Sequence, residues 1–106
     1  MAQASSFRPL SEDFFNRDTV QVAKELLGHY LVIKKPRRKT PICCRIVETE
    51  AYTQDEPSCH AYGKTTGRAE ILYKTPGLAY VYFIYGMYHC LNVVCEKEGR
   101  GAAVLF

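Results

Sequence analysis

The chain has 106 residues, of which 47% are apolar and 24% charged, and a net charge of +3. These figures suit one small globular domain, residues 1–106, with a modest core and no repeat or low-complexity tract. No apolar run approaches the roughly 18 residues of a membrane span, and Met1 to Arg17 lacks the basic-then-apolar form of a signal peptide. The reading is an intracellular protein without a membrane partner.

In chain order, Ser11 to Asn16 reads as a short helical turn. Asp18 then has the character of an N-cap, with Gln21 three residues on as in a capping box. Val22, Ala23, Leu26 and Leu27 recur at helical spacing, and Gly28 is a suitable stop. Tyr30 to Lys34 reads as a strand, Pro36 and its neighbours as a turn, and Ile42 to Glu50 as a second strand. Thr53 to Arg68 is a long polar loop, a place where function concentrates. Thr75-Pro76-Gly77 is a turn. Leu78 to Ile84 and His89 to Cys95 form a hairpin, Glu98 to Gly101 turns again, and Ala102 to Phe106 begins another strand. The hairpin carries four of the eight tyrosines, Tyr80, Tyr82, Tyr85 and Tyr88, and holds Tyr85 and Met87 beside Gly86 at its tip. Large apolar side chains at a tip grip something, and stacked bases are one candidate.

Lys34, Lys35, Arg37, Arg38 and Lys39 put five positive charges into six residues, leaving the rest of the chain net negative. This basic turn fits either phosphate contacts or a solvated loop between strands. The five cysteines, Cys43, Cys44, Cys59, Cys90 and Cys95, are odd in number and contain no Cys-x-x-Cys pair, which fits free thiols in a reducing compartment. Cys59-His60 and His89-Cys90 invite a zinc reading, but neighbours in extended chain point apart, so no metal is expected.

Glu48 and Glu50 fall two apart on the predicted second strand, with Tyr52 following on the same face. A carboxylate at a strand end beside an aromatic residue and a loop carrying His60 can serve as a general base. It can equally be the polar edge of a sheet. Asn92, inside an apolar arm, either faces the cleft holding Tyr52 and Tyr82 or completes the sheet. Gly63-Lys64-Thr65 lacks the upstream glycine of a phosphate-binding loop, since Ser58 stands there, and is set aside.

Taken together, Phe14 to Arg17 with the following helix, Ile46 to Tyr52 (Ile-Val-Glu-Thr-Glu-Ala-Tyr), Ser58 to Tyr62, Pro76-Gly77 and Tyr80 to Asn92 resemble the alkyladenine (3-methyladenine) DNA glycosylases of the mammalian methylpurine type. The Glu-Thr-Glu-Ala-Tyr and Tyr-Gly-Met-Tyr pieces are its most specific part. The resemblance implies an α+β fold: a curved antiparallel sheet, flanking helices, and a β-hairpin over residues 78–95 protruding into the DNA minor groove. The chain would be the N-terminal part of such a domain, an incomplete one, and monomeric where the domain is whole.

The implied activity is metal-free and cofactor-free hydrolysis of the N-glycosidic bond of alkylated or deaminated purines in double-stranded DNA, after base flipping. Glu50 would be the general base, while Tyr52, His60 and Tyr82 would wall the base pocket, and Asn92 would obstruct the 2-amino group of ordinary guanine. Tyr85 would be the intercalating wedge with Met87 and Tyr88 beside it. Lys34, Lys35, Arg37, Arg38, Lys39 and Arg68 are candidate phosphate contacts. The compartment implied is a bacterial cytoplasm or a eukaryotic nucleus. Thr66-Gly-Arg-Ala69 departs from the family's Thr-Pro-Arg-Asn, and the stretch between Tyr52 and His60 is one residue shorter than in many relatives. A chain ending at Phe106 would lack the arginine that helps position water. A damaged-DNA binding module, or an inactive remnant, is the competing expectation.

Overall fold

Asp18 opens the main helix as its sequence predicts: its carboxylate accepts a hydrogen bond from the Gln21 amide at 3.1 Å. The reciprocal half of the capping box is absent. Gln21 Nε2 instead donates to Glu25 Oε2 at 2.6 Å, because an ionised acceptor one helical turn on is the stronger partner. The computed structural model describes residues 8–59, 61–63, 67–84, 86 and 88–106; for Arg68, Ala69, Phe83, Ile84 and Tyr88 the description is of the backbone.

A one-turn helix α1 (Glu12–Phe15) precedes this helix, α2 (Thr19–Leu26). Val22, Ala23 and Leu26 are buried, as the helical spacing requires, whereas Leu27 lies past the last turn and is exposed. Gly28 follows with φ +88°, a left-handed conformation that reverses the chain without the penalty of a Cβ.

The α+β class and the antiparallel pairing agree with the sequence reading, but the strands divide into two sheets. One holds β1 (Tyr30–Ile33) and β2 (Ile42–Arg45); the other runs in the order β3 (Glu50–Thr53), β6 (Ala102–Leu105), β5 (Tyr88–Val94), β4 (Ala79–Ile84). The expected single strand from Ile42 to Glu50 is therefore broken. Ile46 pairs once more with His29 and turns its side chain into the core, Val47 is 76% exposed, and the Thr49 hydroxyl donates to the Ala23 carbonyl at 2.8 Å. The helix thus pulls the chain out of one sheet and starts it in the next. Glu48 consequently sits between strands, not on a strand face beside Glu50. The expected loop from Thr53 to Arg68 is also shorter, because Thr53 pairs with Ala102 and a 3₁₀ helix spans Gly67–Tyr73.

Alternation along the strands gives the larger sheet two different faces. Val93 and Val104, with Cys95, pack against Val22, Ala23, Leu26 and Ile46 of the helix side. Tyr80, Val94 and Ala103 pack on the other side against Cys59, Ala61 and Leu72, with Tyr52, Tyr73 and Tyr82 at the margin. Burying Val22 and Leu26 is worth about 1.5–3 kcal/mol each as an upper bound.

Gly101 allows the second layer to close. A Cβ there would stand 2.7 Å from the Ala61 Cβ and 2.7 Å from the Tyr73 ring. Gly101→Ala is expected to destabilise the chain by about 1–3 kcal/mol through overpacking, a fall of at least about 4 °C in thermal midpoint. An unchanged melting curve would show that the Ala61 segment yields freely.

Candidate active site

The four-stranded sheet aligns Glu50, Leu105, Asn92 and Tyr80 as successive partners across β3, β6, β5 and β4. Directly paired residues share a face, so Glu50 and Tyr52 lie on the side carrying Asn92, Tyr80 and Tyr82. The Tyr52 hydroxyl donates to Glu50 Oε1 at 2.6 Å. Glu50 is exposed, and Tyr52 reaches from it into a cavity of about 60 Å³, which is also lined by Tyr82 and Asn92. The carboxylate is not itself part of the lining but is tied to it through the Tyr52 phenol.

Asn92 answers both alternatives left open by its position. Its side chain lines the cavity, and its Nδ2 donates to the Tyr80 carbonyl across the hairpin at 3.2 Å. Only 5% of it is exposed. The Tyr80 and Tyr82 rings lie 5.5 Å apart, presenting aromatic surface to the same space.

Both pocket phenols are held neutral. The hydrogen bond to Glu50, followed by burial, pushes Tyr52 up to about 12, because ionisation would set two anions together. Burial, followed by the thiol of the paired Cys90, pushes Tyr82 up to about 12. With folded values above the ordinary 10.0, the contribution to stability is fully present below pH 10 and is lost as pH climbs through 12. In an alkaline titration followed by phenolate absorbance, Tyr52→Phe and Tyr82→Phe should each remove one late-titrating group. Loss from the component near pH 10 instead would contradict this arrangement.

The wall formed by Ser58 and Cys59 reaches the cavity from the segment after β3. That segment is pinned at its start: the Gln54 amide donates to the Gly101 carbonyl, and the Gly101 amide to Gln54 Oε1, both at 2.7 Å. Arg100 Nη2 meets Asp55 Oδ2 at 2.5 Å, and Arg100 Nε lies 3.4 Å from Glu96 Oε1. Glu96 in turn accepts from the Thr19 amide at 3.2 Å and from the Thr19 hydroxyl. It has φ +64°, and its amide donates to the Phe15 carbonyl at 2.9 Å. A left-handed glutamate costs about 1–2 kcal/mol, which these bonds offset.

A larger cavity, about 550 Å³, lies mainly on the helix side among Leu26, Ile46, Leu91, Val93 and Phe106. Neither cavity is lined by an acid and Asn92 borders both, but the small one is walled by Tyr52, whose hydroxyl holds the Glu50 carboxylate. The basic run is exposed in the connection between β1 and β2; Lys34 borders the large cavity, and Arg38 Nε donates to the Thr40 carbonyl at 2.9 Å. Among the described residues, no three His, Cys, Asp or Glu side chains gather as metal ligands. No described helix is long and apolar enough to cross a membrane.

Comparison with known proteins adds a second kind of observation. The family model described as methylpurine-DNA glycosylase matches residues 13–106. The chain belongs to the methylpurine-DNA glycosylase family. Curated relatives named "Putative 3-methyladenine DNA glycosylase" include those of Herpetosiphon aurantiacus (52% identical, 91% of this chain and 43% of the relative), Methanocella arvoryzae (50%, 91% and 48%) and Salinibacter ruber (50%, 92% and 52%). The chain spans about half the length of the curated relatives it matches.

Of the positions implied by resemblance to methylpurine-DNA glycosylases, the structure gathers Glu50, Tyr52, Tyr82 and Asn92. His60, Tyr85 and Met87 lie outside the described residues, as do the side chains of Tyr88 and Arg68. Ser58, Cys59, Leu72, Tyr80 and Ala103 also line the cavity without having been assigned a role from sequence. Tyr80 had a readable signal, since it stands two residues before Tyr82 on one strand. Leu72 had none, because its 3₁₀ segment lacks a periodic pattern.

Proposed function

We propose that residues 1–106 form part of one methylpurine-DNA glycosylase domain, and that this domain hydrolyses the N-glycosidic bond of damaged purines flipped from duplex DNA. The observation that carries the reading is the Glu50 carboxylate, tied at 2.6 Å to a tyrosine that walls a cavity shared with Tyr82 and Asn92. The substrates proposed are 3-methyladenine, 7-methylguanine, hypoxanthine and ethenoadenine.

Flipping costs a few kcal/mol, less for bases that pair or stack poorly, and Tyr85 filling the vacated stack would repay part of it. By resemblance, Met87 and Tyr88 would support that wedge and His60 would contribute to the base pocket. An electron-poor alkylated purine stacks well on tyrosine faces. Departure of the base builds positive charge on the sugar, as in other glycoside hydrolyses. Glu50 stabilises that charge and takes a proton from the attacking water. Asn92, which lines the cavity, excludes the 2-amino group of ordinary guanine. Lys34, Lys35, Arg37, Arg38, Lys39 and Arg68 hold phosphates, a contribution that weakens with salt. The domain acts as a monomer inside the cell.

The test is a duplex with a single hypoxanthine, incubated with the purified chain and then treated with alkali to cut abasic sites. Strand cutting supports the proposal. Lesion-selective binding without cutting would replace it with a damaged-DNA binding module, and neither would mark an inactive remnant.

A further inference from the structure

The segment from Gln54 to Cys59 belongs to no sheet or helix, yet it supplies one wall of the cavity beside Tyr52. Its internal bonds are short-range turns: the Glu56 amide donates to the Thr53 carbonyl at 3.1 Å and the Cys59 amide to the Glu56 carbonyl at 3.0 Å. Such turns define the segment's shape but not its distance from the sheet. At its far end Cys59 packs into the cluster with Ala61, Leu72, Tyr80, Val94 and Ala103, and at its near end the segment is held from outside, by Gly101 at Gln54 and by Arg100 at Asp55.

We propose that Arg100 is a positioning residue for the lesion pocket, acting through Asp55 to hold the Ser58–Cys59 wall against Tyr52. Two observations make it more than a surface ion pair. The guanidinium is itself oriented, since Nε faces Glu96 while Nη2 faces Asp55, and the Arg100 side chain is 31% exposed against 67% for Asp55. Glu96 is fixed by the first turn of α2 through the Thr19 amide and hydroxyl. A continuous chain of contacts therefore runs from the helix through Glu96, Arg100 and Asp55 to the pocket wall. A side chain already immobilised on one partner loses less entropy on gripping the second, so this pair holds its geometry better than an isolated one.

The inference rests on reading the cavity as a lesion pocket, and its test separates the two. Cys59 is a built-in reporter: it is buried in the wall, Cys95 is buried on the helix side, and Cys43 and Cys44 are exposed references. Alkylation with iodoacetamide, mapped by mass spectrometry, should show Cys59 reacting roughly tenfold faster in Asp55→Ala and Arg100→Ala, with Cys95 unchanged. Asp55 is exposed enough for its variant to fold. In parallel, fluorescence anisotropy with a hypoxanthine duplex and its undamaged counterpart should show lesion preference falling roughly tenfold, affinity for undamaged DNA holding, and the double variant no worse than either single one.

Cys59 remaining protected in both variants would overturn the proposal. So would a full lesion preference with Cys59 exposed, or losses that add in the double variant. A wild-type chain without lesion preference would sink the pocket reading, and the Cys59 footprint would then decide alone whether Arg100 positions the wall.

Discussion

Glu50→Gln is expected to lower the single-turnover rate of base release by about 10²–10⁴-fold while leaving affinity for a lesion duplex nearly unchanged. Glutamine retains the side chain's length and still offers an oxygen to the Tyr52 hydroxyl, so the pocket wall stays in place. On the proposed mechanism, what would disappear is the anion facing the developing sugar cation and the base that would accept a proton from water. The comparison with Tyr52→Phe is informative: it keeps the carboxylate and removes only the bond that orients it, so a smaller loss is expected. Equal rates for wild type and Glu50→Gln under single-turnover conditions would remove Glu50 from the mechanism.

Leu72→Ala should have the largest effect on stability. Leu72 is fully buried in the cluster with Cys59, Ala61, Tyr80, Val94 and Ala103, and it also borders the small cavity. Truncation removes buried surface and leaves a void, for a loss of about 2–5 kcal/mol. That is a large part of the roughly 5–15 kcal/mol typical of a domain. Urea unfolding should show a lower midpoint at an unchanged slope. Leu78→Ala, at an exposed position, serves as the control and should stay within about 0.5 kcal/mol. A loss below about 1 kcal/mol at Leu72 would mean that the 3₁₀ segment collapses onto the space.

Sequence patterns revealed the elements whose causes are local. The N-cap at Asp18, the stripe of Val22, Ala23 and Leu26, the stop at Gly28 and the two arms of the hairpin all follow from spacing and backbone preference. The break between β2 and β3 was hidden, because Ile46-Val47-Glu48-Thr49 is rich in β-branched residues and holds no Gly or Pro to mark a stop. Only the Thr49 bond to the Ala23 carbonyl and the burial of Ile46 beneath α2 explain it, and both are tertiary. At the candidate site, Glu50, Tyr52, Tyr82 and Asn92 were legible through resemblance and alternation. The Asp55–Arg100–Glu96–Thr19 chain was not, since bonded members lie up to 77 residues apart and no periodicity links them.

The two-faced sheet has a consequence for how this protein can change. In β3, Tyr52 and Glu50 look one way and Ala51, packed against the helix-side core, looks the other. Substituting Tyr52 and Tyr82 alters the lining of the small cavity while the helix-facing core of Ala51, Val93 and Val104 remains intact. Inserting a single residue into β3 does the reverse: it exchanges the faces, sending Ala51 toward the cavity and Tyr52 into α2. The cavity can thus be reshaped by substitution, whereas insertions in that strand forfeit both halves at once.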